Sequence, residues 1–498
     1  MANLKSLAKD TVIYGMTGMV GRFLNYLLVP LYTARISAAS GGYGTITNIY
    51  AYTALIIIVL TFGMETTFFR FANKDGENPK SVISTSLLAV TGVSVFFVLL
   101  VFLLLPWLSE WMEYQDHPSY IWVMAIVVAL DAIQSILYAY LRYQHKPIKF
   151  ASLKFAFILL NIFLNILYFW LFPIIYEKHP SWVSGIYDPS VGVGYAFYLN
   201  LVCTGLVTLL FWKEFKSIKF KMDWQLLQRM LNYTWPLLVL GVVGILNQTA
   251  DKILYPFIDD SATGRAQLGI YGAACKIAMI MAIITNAFRW AYEPFVFGKS
   301  RDKDNREAYA AAMKYFIIFT LLAFLMVVAW LDVLKYLIGR DYWEGLKVVP
   351  IVMAAEIMMG VYFNLSFWYK LVDKTIWGAW FSLIGCAILV AINFIFVPHF
   401  GYMACAWGGF VGYGVTMVLC YFAGKKYYPI NYPLKDIGIY TGLAAVLYVA
   451  SVLVDWGNSL DNVIYRTLLL MIFIVVLVKK ENVMDKIMEF KRRRSKSA

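Results

Sequence analysis

Apolar runs of about 20 residues recur along this chain from near its start to residue 478. Each run is long enough to cross the hydrocarbon core of a bilayer as a helix. Inside hydrocarbon every backbone N–H and C=O must be satisfied by the protein, so only helices and closed barrels can span it. The runs are continuously apolar and do not alternate, which excludes a barrel. The chain is therefore all-α and polytopic, with about 14 transmembrane helices. They lie near 11–34, 44–69, 82–106, 119–141, 150–175, 191–212, 230–257, 268–297, 308–331, 346–369, 376–397, 402–423, 434–454 and 460–478. Hydrophobic residues are 61% of the chain and charged residues 15%, against roughly 45–50% and about 25% in soluble proteins. No polar stretch is long enough for a soluble domain. The N-terminus leads straight into the first run without a small-residue cleavage site, and reads as a retained helix.

Loop charges orient the helices. One face carries Lys5, Lys9, Arg70, Lys74, Lys80, Arg142, Lys146, Lys149 and many more, down to the tail from Lys479. The other carries Arg35, Lys178, Arg265, Lys335, Arg340 and Lys347, giving 30 cations against 6. Positive loops stay cytoplasmic, so both termini are expected there. This rule accounts for the net charge of +13, and nucleic acid is not implied. The tail is a topology signal that can also meet anionic headgroups.

The sequence repeats itself. Tyr43-Gly44 returns as Tyr271-Gly272, and Ala54, Ile56, Glu65 and Phe69 return as Ala282, Ile284, Glu293 and Phe297, all 228 residues on. Leu137, Lys146, Ile148 and Asn165 match Leu365, Lys374, Ile376 and Asn393 at the same offset. Gly15, Gly18 and Pro30 match Gly241, Gly244 and Pro256 at offset 226. The expected organisation is two pseudo-symmetric six-helix lobes, 1–222 and 223–428. Two additional helices, 429–480, and a basic tail, 481–498, follow. An even number of spans per copy gives both the same orientation and leaves a central cavity between them.

A charge inside a bilayer costs about 2.5–3.5 kcal/mol on insertion scales, so each needs a reason. The cations within spans are Arg22, Lys154, Lys252, Lys276, Arg289, Lys314 and Arg466; the acids are Glu65, Asp131, Asp251, Glu293 and Glu356. Arg22, Lys276, Arg289, Lys252, Lys154 and Lys314 are candidates for a cationic substrate cavity. Arg22 is mid-span and cannot easily reach the headgroups. Lys154 and Lys314 lie near cytoplasmic ends, where snorkelling is an equal explanation. Asp251 and Lys252 are adjacent, and Arg289 and Glu293 are one helical turn apart, so local pairs also account for them. Glu65, Asp131, Asp251, Glu293 and Glu356 are candidates for ion coupling or gating, with helix-to-helix hydrogen bonding as the structural alternative. Glycine pairs permit close helix approach, and Pro30, Pro236 and Pro256 permit bends. Trp107, Trp111 and Trp182 lie at span ends as an interfacial belt; Tyr50 and Tyr52, inside, can stack on sugars.

Other chemistry is missing from the sequence. No phosphate-binding glycine loop and no catalytic constellation is present. The five cysteines fall in apolar runs and the four histidines lack ligand spacing, so no metal, disulfide frame or cofactor is expected. The loops near 176–190 and 257–267 are too short to carry an active site. A non-enzymatic membrane protein is the reading.

The stretch DTVIYGMTGMVGRFLNYLLVPLYT, followed by YGTITNIYAYTALIIIVLTFGMETTFFRFA, resembles the polysaccharide biosynthesis (oligosaccharide flippase) family of the multidrug/oligosaccharidyl-lipid/polysaccharide exporter superfamily. The resemblance implies a multi-pass protein of the bacterial inner membrane. It would move a polyprenyl-diphosphate-linked oligosaccharide to the outer leaflet by alternating access, with a proton or sodium ion as possible coupling partner. The related peptidoglycan-precursor flippases use a cationic cavity with an arginine in the first span, and Arg22 stands in a comparable place. Two rivals remain at this stage: a cation-coupled multidrug exporter of the same superfamily, against which the basic excess argues, and a membrane-embedded glycan or acyl transferase.

Overall fold

The structure is a computed structural model. It describes Thr17, residues 26–261, 263–299, 305–372, 374 and 376–482, with backbone alone at 290, 291, 293–299 and 305. The long helices are α1 Leu28–Arg35, α2 Gly42–Thr61, α3 Met64–Ala72, α4 Pro79–Leu103, α5 Ser119–Tyr143, α6 Pro147–Ile166, α7 Gly194–Leu210 and α8 Trp224–Ile258. They continue with α9 Gly264–Lys299, α10 Asn305–Ala329, α11 Val349–Leu365, α12 Ile376–Phe400, α13 Tyr402–Tyr427, α14 Leu434–Leu453 and α15 Ser459–Lys480. Among the described residues there is no strand, and 13 helical segments are long and apolar enough to cross a membrane. The expected all-α polytopic architecture is the observed one. Of the first expected span, Thr17 and the end from residue 26, which leads into α1, are described.

By packing, the chain divides into two compact units: residues 1–273 with 393–402, and residues 274–392 with 403–498. This division runs through α9 and α12. The 222/223 seam concerns sequence duplication, which is a different property.

In the first unit, Val82, Leu87 and Val90 of α4 pack with Val128, Ala132 and Ile136 of α5. Phe68 of α3, Phe211 after α7 and Met230 of α8 close the same cluster. The opposite face of α4, with Phe96, Leu99 and Leu103, is exposed and apolar, as a lipid-facing surface must be. Hydrocarbon offers no hydrophobic drive between helices, so close approach and polar pairs decide which faces meet.

Two such approaches matter. The expected span 44–69 is broken at Phe62 and Gly63, both left-handed, with φ of 35° and 73°. A β-carbon on Gly63 would stand 3.0 Å from Leu237 Cβ, so glycine here admits both the turn and α8. One turn on, the Thr67 and Thr234 hydroxyls share a hydrogen bond of 2.7 Å. The second approach joins the two repeated Tyr-Gly pairs. A β-carbon on Gly44 would collide with the Arg265 carbonyl, one on Gly269 would stand 2.9 Å from Gly44 N, and one on Gly272 would overlap the Thr47 side chain. Thus α2 and the start of α9 cross backbone to backbone.

In the second unit, α10 packs against α11, α14 and α15. Gly360 of α11 lies directly against Thr285 of α9 and Phe316 of α10. The ring of Tyr292 meets Phe367 edge-on at 5.3 Å. The last helix is tied at both ends: Lys480 to Asp436 at 2.8 Å, and Arg466 to Asp332 at 2.8 Å.

Candidate functional site

The candidate charges separate into four groups. In the first unit, the Lys/Arg-rich end of α5 brings Arg142 to Glu65 of α3 as an ion pair. Arg142 also lies 5.0 Å over the Phe69 ring. Deeper in the bundle, Lys154 of α6 sits 4.0 Å over the Tyr138 ring. It is within electrostatic reach of Asp131, Glu65 and Arg142. The structure thus gathers Glu65, Asp131 and Lys154, which lie far apart in sequence, into one string of alternating charge.

That string borders a hydrogen-bonded interior. The Asn200 amide donates to Tyr50 Oη at 2.8 Å, and Thr204 donates to Asn200 at 3.2 Å. Gln134 donates to the Thr204 carbonyl at 3.0 Å and to Thr208 at 2.8 Å. Tyr32 donates to Asn165 at 2.7 Å, and Asn165 donates to Asn161. Tyr50 is within reach of Asp131. Charge alone does not disclose this network, because its members are neutral. The signal in the sequence is amides inside apolar runs, at Gln134, Asn161, Asn165 and Asn200.

The second group lies at the Lys/Arg-poor end of the same unit. Lys252 Nζ lies 3.0 Å from both oxygens of the adjacent, buried Asp251, and Tyr271 of α9 donates to Asp251 at 2.6 Å. Pro256 has no N–H, so the Lys252 carbonyl lacks its helical donor. Asn48 of α2 supplies one at 2.8 Å. The Asn48 oxygen in turn accepts from Tyr114 at 3.0 Å. Burial pushes the Tyr114 phenol up to about 12, with nearby Arg265 opposing, so it stays a donor. Arg265 binds the Glu113 carbonyl and carboxylate and covers the Tyr114 ring at 4.4 Å. The sequence marked Asp251 and Lys252 as a local pair; the residues that join them come from three other segments.

The third group lies in the second unit. Lys314 of α10 is held by Glu481 at 2.6 Å and Asp436 at 3.3 Å. Tyr440 also donates to Glu481, at 3.0 Å. Burial raises the Glu481 carboxyl, but the Lys314 ammonium and the phenols outweigh this and hold it below the ordinary range.

The last group comprises Lys276, Arg289 and Glu356, all half-buried. The Arg289 guanidinium covers the Phe363 ring at 4.8 Å, and Glu356, Gly360 and Asn364 share one stripe of α11. Arg22 lies outside the described residues and Glu293 outside the described side chains, so the expected Arg289–Glu293 pair is not described. Asn393, the repeat mate of Asn165, is fully buried, and its amide atoms have no hydrogen-bond partner among the described residues. Leu389 and Ile258 stand where the first copy has Asn161 and Tyr32. Among the described residues no three His, Cys, Asp or Glu side chains are grouped as metal ligands.

These features define a class: a multi-pass α-helical membrane protein with a charged, hydrogen-bonded interior. The structure resembles lipid II flippase MurJ in an inward closed conformation, with a TM-score of 0.72 and 14% identity over 94% of this chain and 99% of that one. It also resembles a multidrug resistance MATE family transporter of the MOP superfamily in an inward-facing conformation. There the TM-score is 0.63, with 14% identity over 84% and 97% of the two chains. An outward-facing MATE structure gives 0.57 and 15% identity over 84% and 95%. At such identities the likeness is one of fold. None of the curated proteins matches the sequence significantly. The model of the family described as polysaccharide biosynthesis protein matches residues 7–294, more than half the chain. The protein belongs to the polysaccharide biosynthesis protein family.

Proposed function

We propose that this protein is a flippase for a polyprenyl-diphosphate-linked oligosaccharide. It would work across the bacterial inner membrane, with both termini in the cytoplasm and the repeats 1–222 and 223–428 as its moving lobes. The observation that carries the reading is a polysaccharide biosynthesis family match on a chain with the fold of a flippase for a lipid-linked precursor. The intramembrane excess of cations supports it. A diphosphate and its sugars cannot cross hydrocarbon unaided, and guanidinium groups replace phosphate hydration with bidentate, charge-assisted hydrogen bonds.

We assign phosphate contact to Arg22, Lys276 and Arg289. Lys252 and Lys314 are engaged by carboxylates, and in this reading they stabilise the bundle. Lys154 faces Asp131, and we assign that couple to ion coupling, with Glu65 and Arg142 as its link toward the cytoplasmic side. Glu356 is the corresponding candidate in the second copy.

Cells lacking the protein should accumulate lipid-linked glycan and lose surface polysaccharide. Wild type should restore both, Arg289→Ala should restore neither while inserting normally, and full rescue by Arg289→Ala would remove it from the site. Asp131→Asn should lose the dependence of transport on pH, and an unchanged pH profile would remove Asp131 from coupling. The MATE-like fold keeps a drug exporter as the rival; drug resistance on expression without any effect on surface glycan would favour it.

A further inference from the structure

The segment 167–198, from the end of α6 into the first turns of α7 on the Lys/Arg-poor face, carries an aromatic cluster that the flippase reading does not use. Helix α6 passes into a π-helical turn, Leu167–Leu171. One extra residue per turn rotates the chain beyond it, and such turns occur often at functional sites. Here Tyr168 meets Tyr195 at 4.8 Å between ring centroids. Tyr187 stacks on Tyr195 at 5.5 Å with planes 15° apart, and Tyr176 meets Tyr187 edge-on at 5.8 Å.

Polar ties set this arrangement. The Tyr195 hydroxyl accepts from Asp188 N at 2.7 Å and donates to the Asp188 carbonyl at 3.2 Å. The Asp188 carboxylate accepts from Ser190 N at 2.9 Å. Hydrogen bonds from the Ser190 backbone and side chain hold the Asp188 carboxyl below its ordinary range, so it is an ionised acceptor at any physiological pH. The four tyrosines are half-exposed, and Trp182 in the same loop is 73% exposed.

An interfacial belt needs only single rings at headgroup depth. It does not need stacked rings locked to an acidic turn. Charge also selects the occupant. Lys178 is the one lysine or arginine between 167 and 198, against Glu177 and Asp188, so phosphate and acidic sugars are disfavoured. Flat apolar ring faces beside carboxylate and phenol acceptors match sugars, which present C–H faces and hydroxyl donors together. We propose that the cluster of Tyr168, Tyr176, Tyr187 and Tyr195, with Asp188 and Trp182, is a docking surface for the neutral sugars of a glycan. The presence of a glycan on this side of the membrane rests on the flippase reading; the surface itself can be tested apart from it.

The probe is the oligosaccharide released by mild acid from the polyprenyl-diphosphate fraction of the native cells. It is titrated against the full-length protein in nanodiscs. Wild type should bind, Tyr187→Leu should weaken binding by about tenfold, and Tyr187→Phe, which keeps the ring, should stay within about twofold. Trp182→Ala, at a position too exposed to carry the fold, should also weaken binding, which covers the case of a Tyr187→Leu chain that does not fold. No binding by wild type, or unchanged binding in Tyr187→Leu and Trp182→Ala, overturns the docking surface. Translocation is measured separately in vesicles. A chain that binds here without translocating keeps the surface and loses the flippase reading; one that translocates without binding loses the surface alone.

Discussion

Asp251 shows how one residue can serve two helices. Its carboxylate neutralises Lys252 and accepts from Tyr271 of α9. Removing one partner of a buried ion pair leaves the other charge uncompensated, at about 3–5 kcal/mol. Asp251→Ala should therefore lower the melting temperature in detergent markedly, whereas Tyr271→Phe, which removes one hydrogen bond to a charged group, should cost about 1.5–3 kcal/mol. Equal stability of both variants with wild type would show that the pair contributes nothing. At Gly44 the expectation is steric. Alanine there drives a methyl group into the Arg265 backbone, and overpacking of this kind costs about 1–3 kcal/mol; Gly185, which has open space around it, is the control. Sequence reasoning found Asp251, Lys252 and the repeated Tyr-Gly pairs. It did not find Asn48 or Tyr114, because their roles depend on a carbonyl freed by a proline on another helix.

Among the elements, α15 illustrates the use of charge for attachment. Arg466 pairs with Asp332 near one end, and Lys480 pairs with Asp436 at the other. Just beyond it, Glu481 holds Lys314. Because the Glu481 carboxyl is depressed in the folded state, its stabilisation is complete above the unfolded glutamate value of about 4.3. It is lost as the pH falls through the lower folded value. Thermal stability of wild type should drop across that acid window, and Glu481→Gln should start lower at neutral pH and lack this component of the drop. Parallel curves for the two chains would contradict the assignment. Lys314 was legible as an intramembrane cation but not as an ion-paired one, since Asp436 and Glu481 are more than 100 residues away. The break at Phe62–Gly63 was equally hidden, because the apolar run passes through it without a proline or a charge.

For the whole molecule, the apolar runs were enough to give the all-α polytopic architecture, since hydrocarbon permits so few backbones. What they left open was which charges belong to cargo and which to structure. Distance along the chain carries no information on that point. Lys252 and Lys314 read in sequence as intramembrane cations, and only packing shows that Asp251, Asp436 and Glu481 engage them. Buried amides differ in the same way: Asn165 is satisfied by Tyr32 and Asn161, while Asn393 has no hydrogen-bond partner among the described residues. The central claim is that surplus positive charge within the spans carries a diphosphate across the membrane. It is tested most directly by proteoliposomes holding a fluorescent polyprenyl-diphosphate oligosaccharide, with each leaflet read by a membrane-impermeant quencher. Wild type should equilibrate the label between leaflets, and Arg289→Ala should slow this by about tenfold or more with an unchanged melting temperature. Equal rates in the two, or no movement above protein-free vesicles with wild type, would contradict the claim.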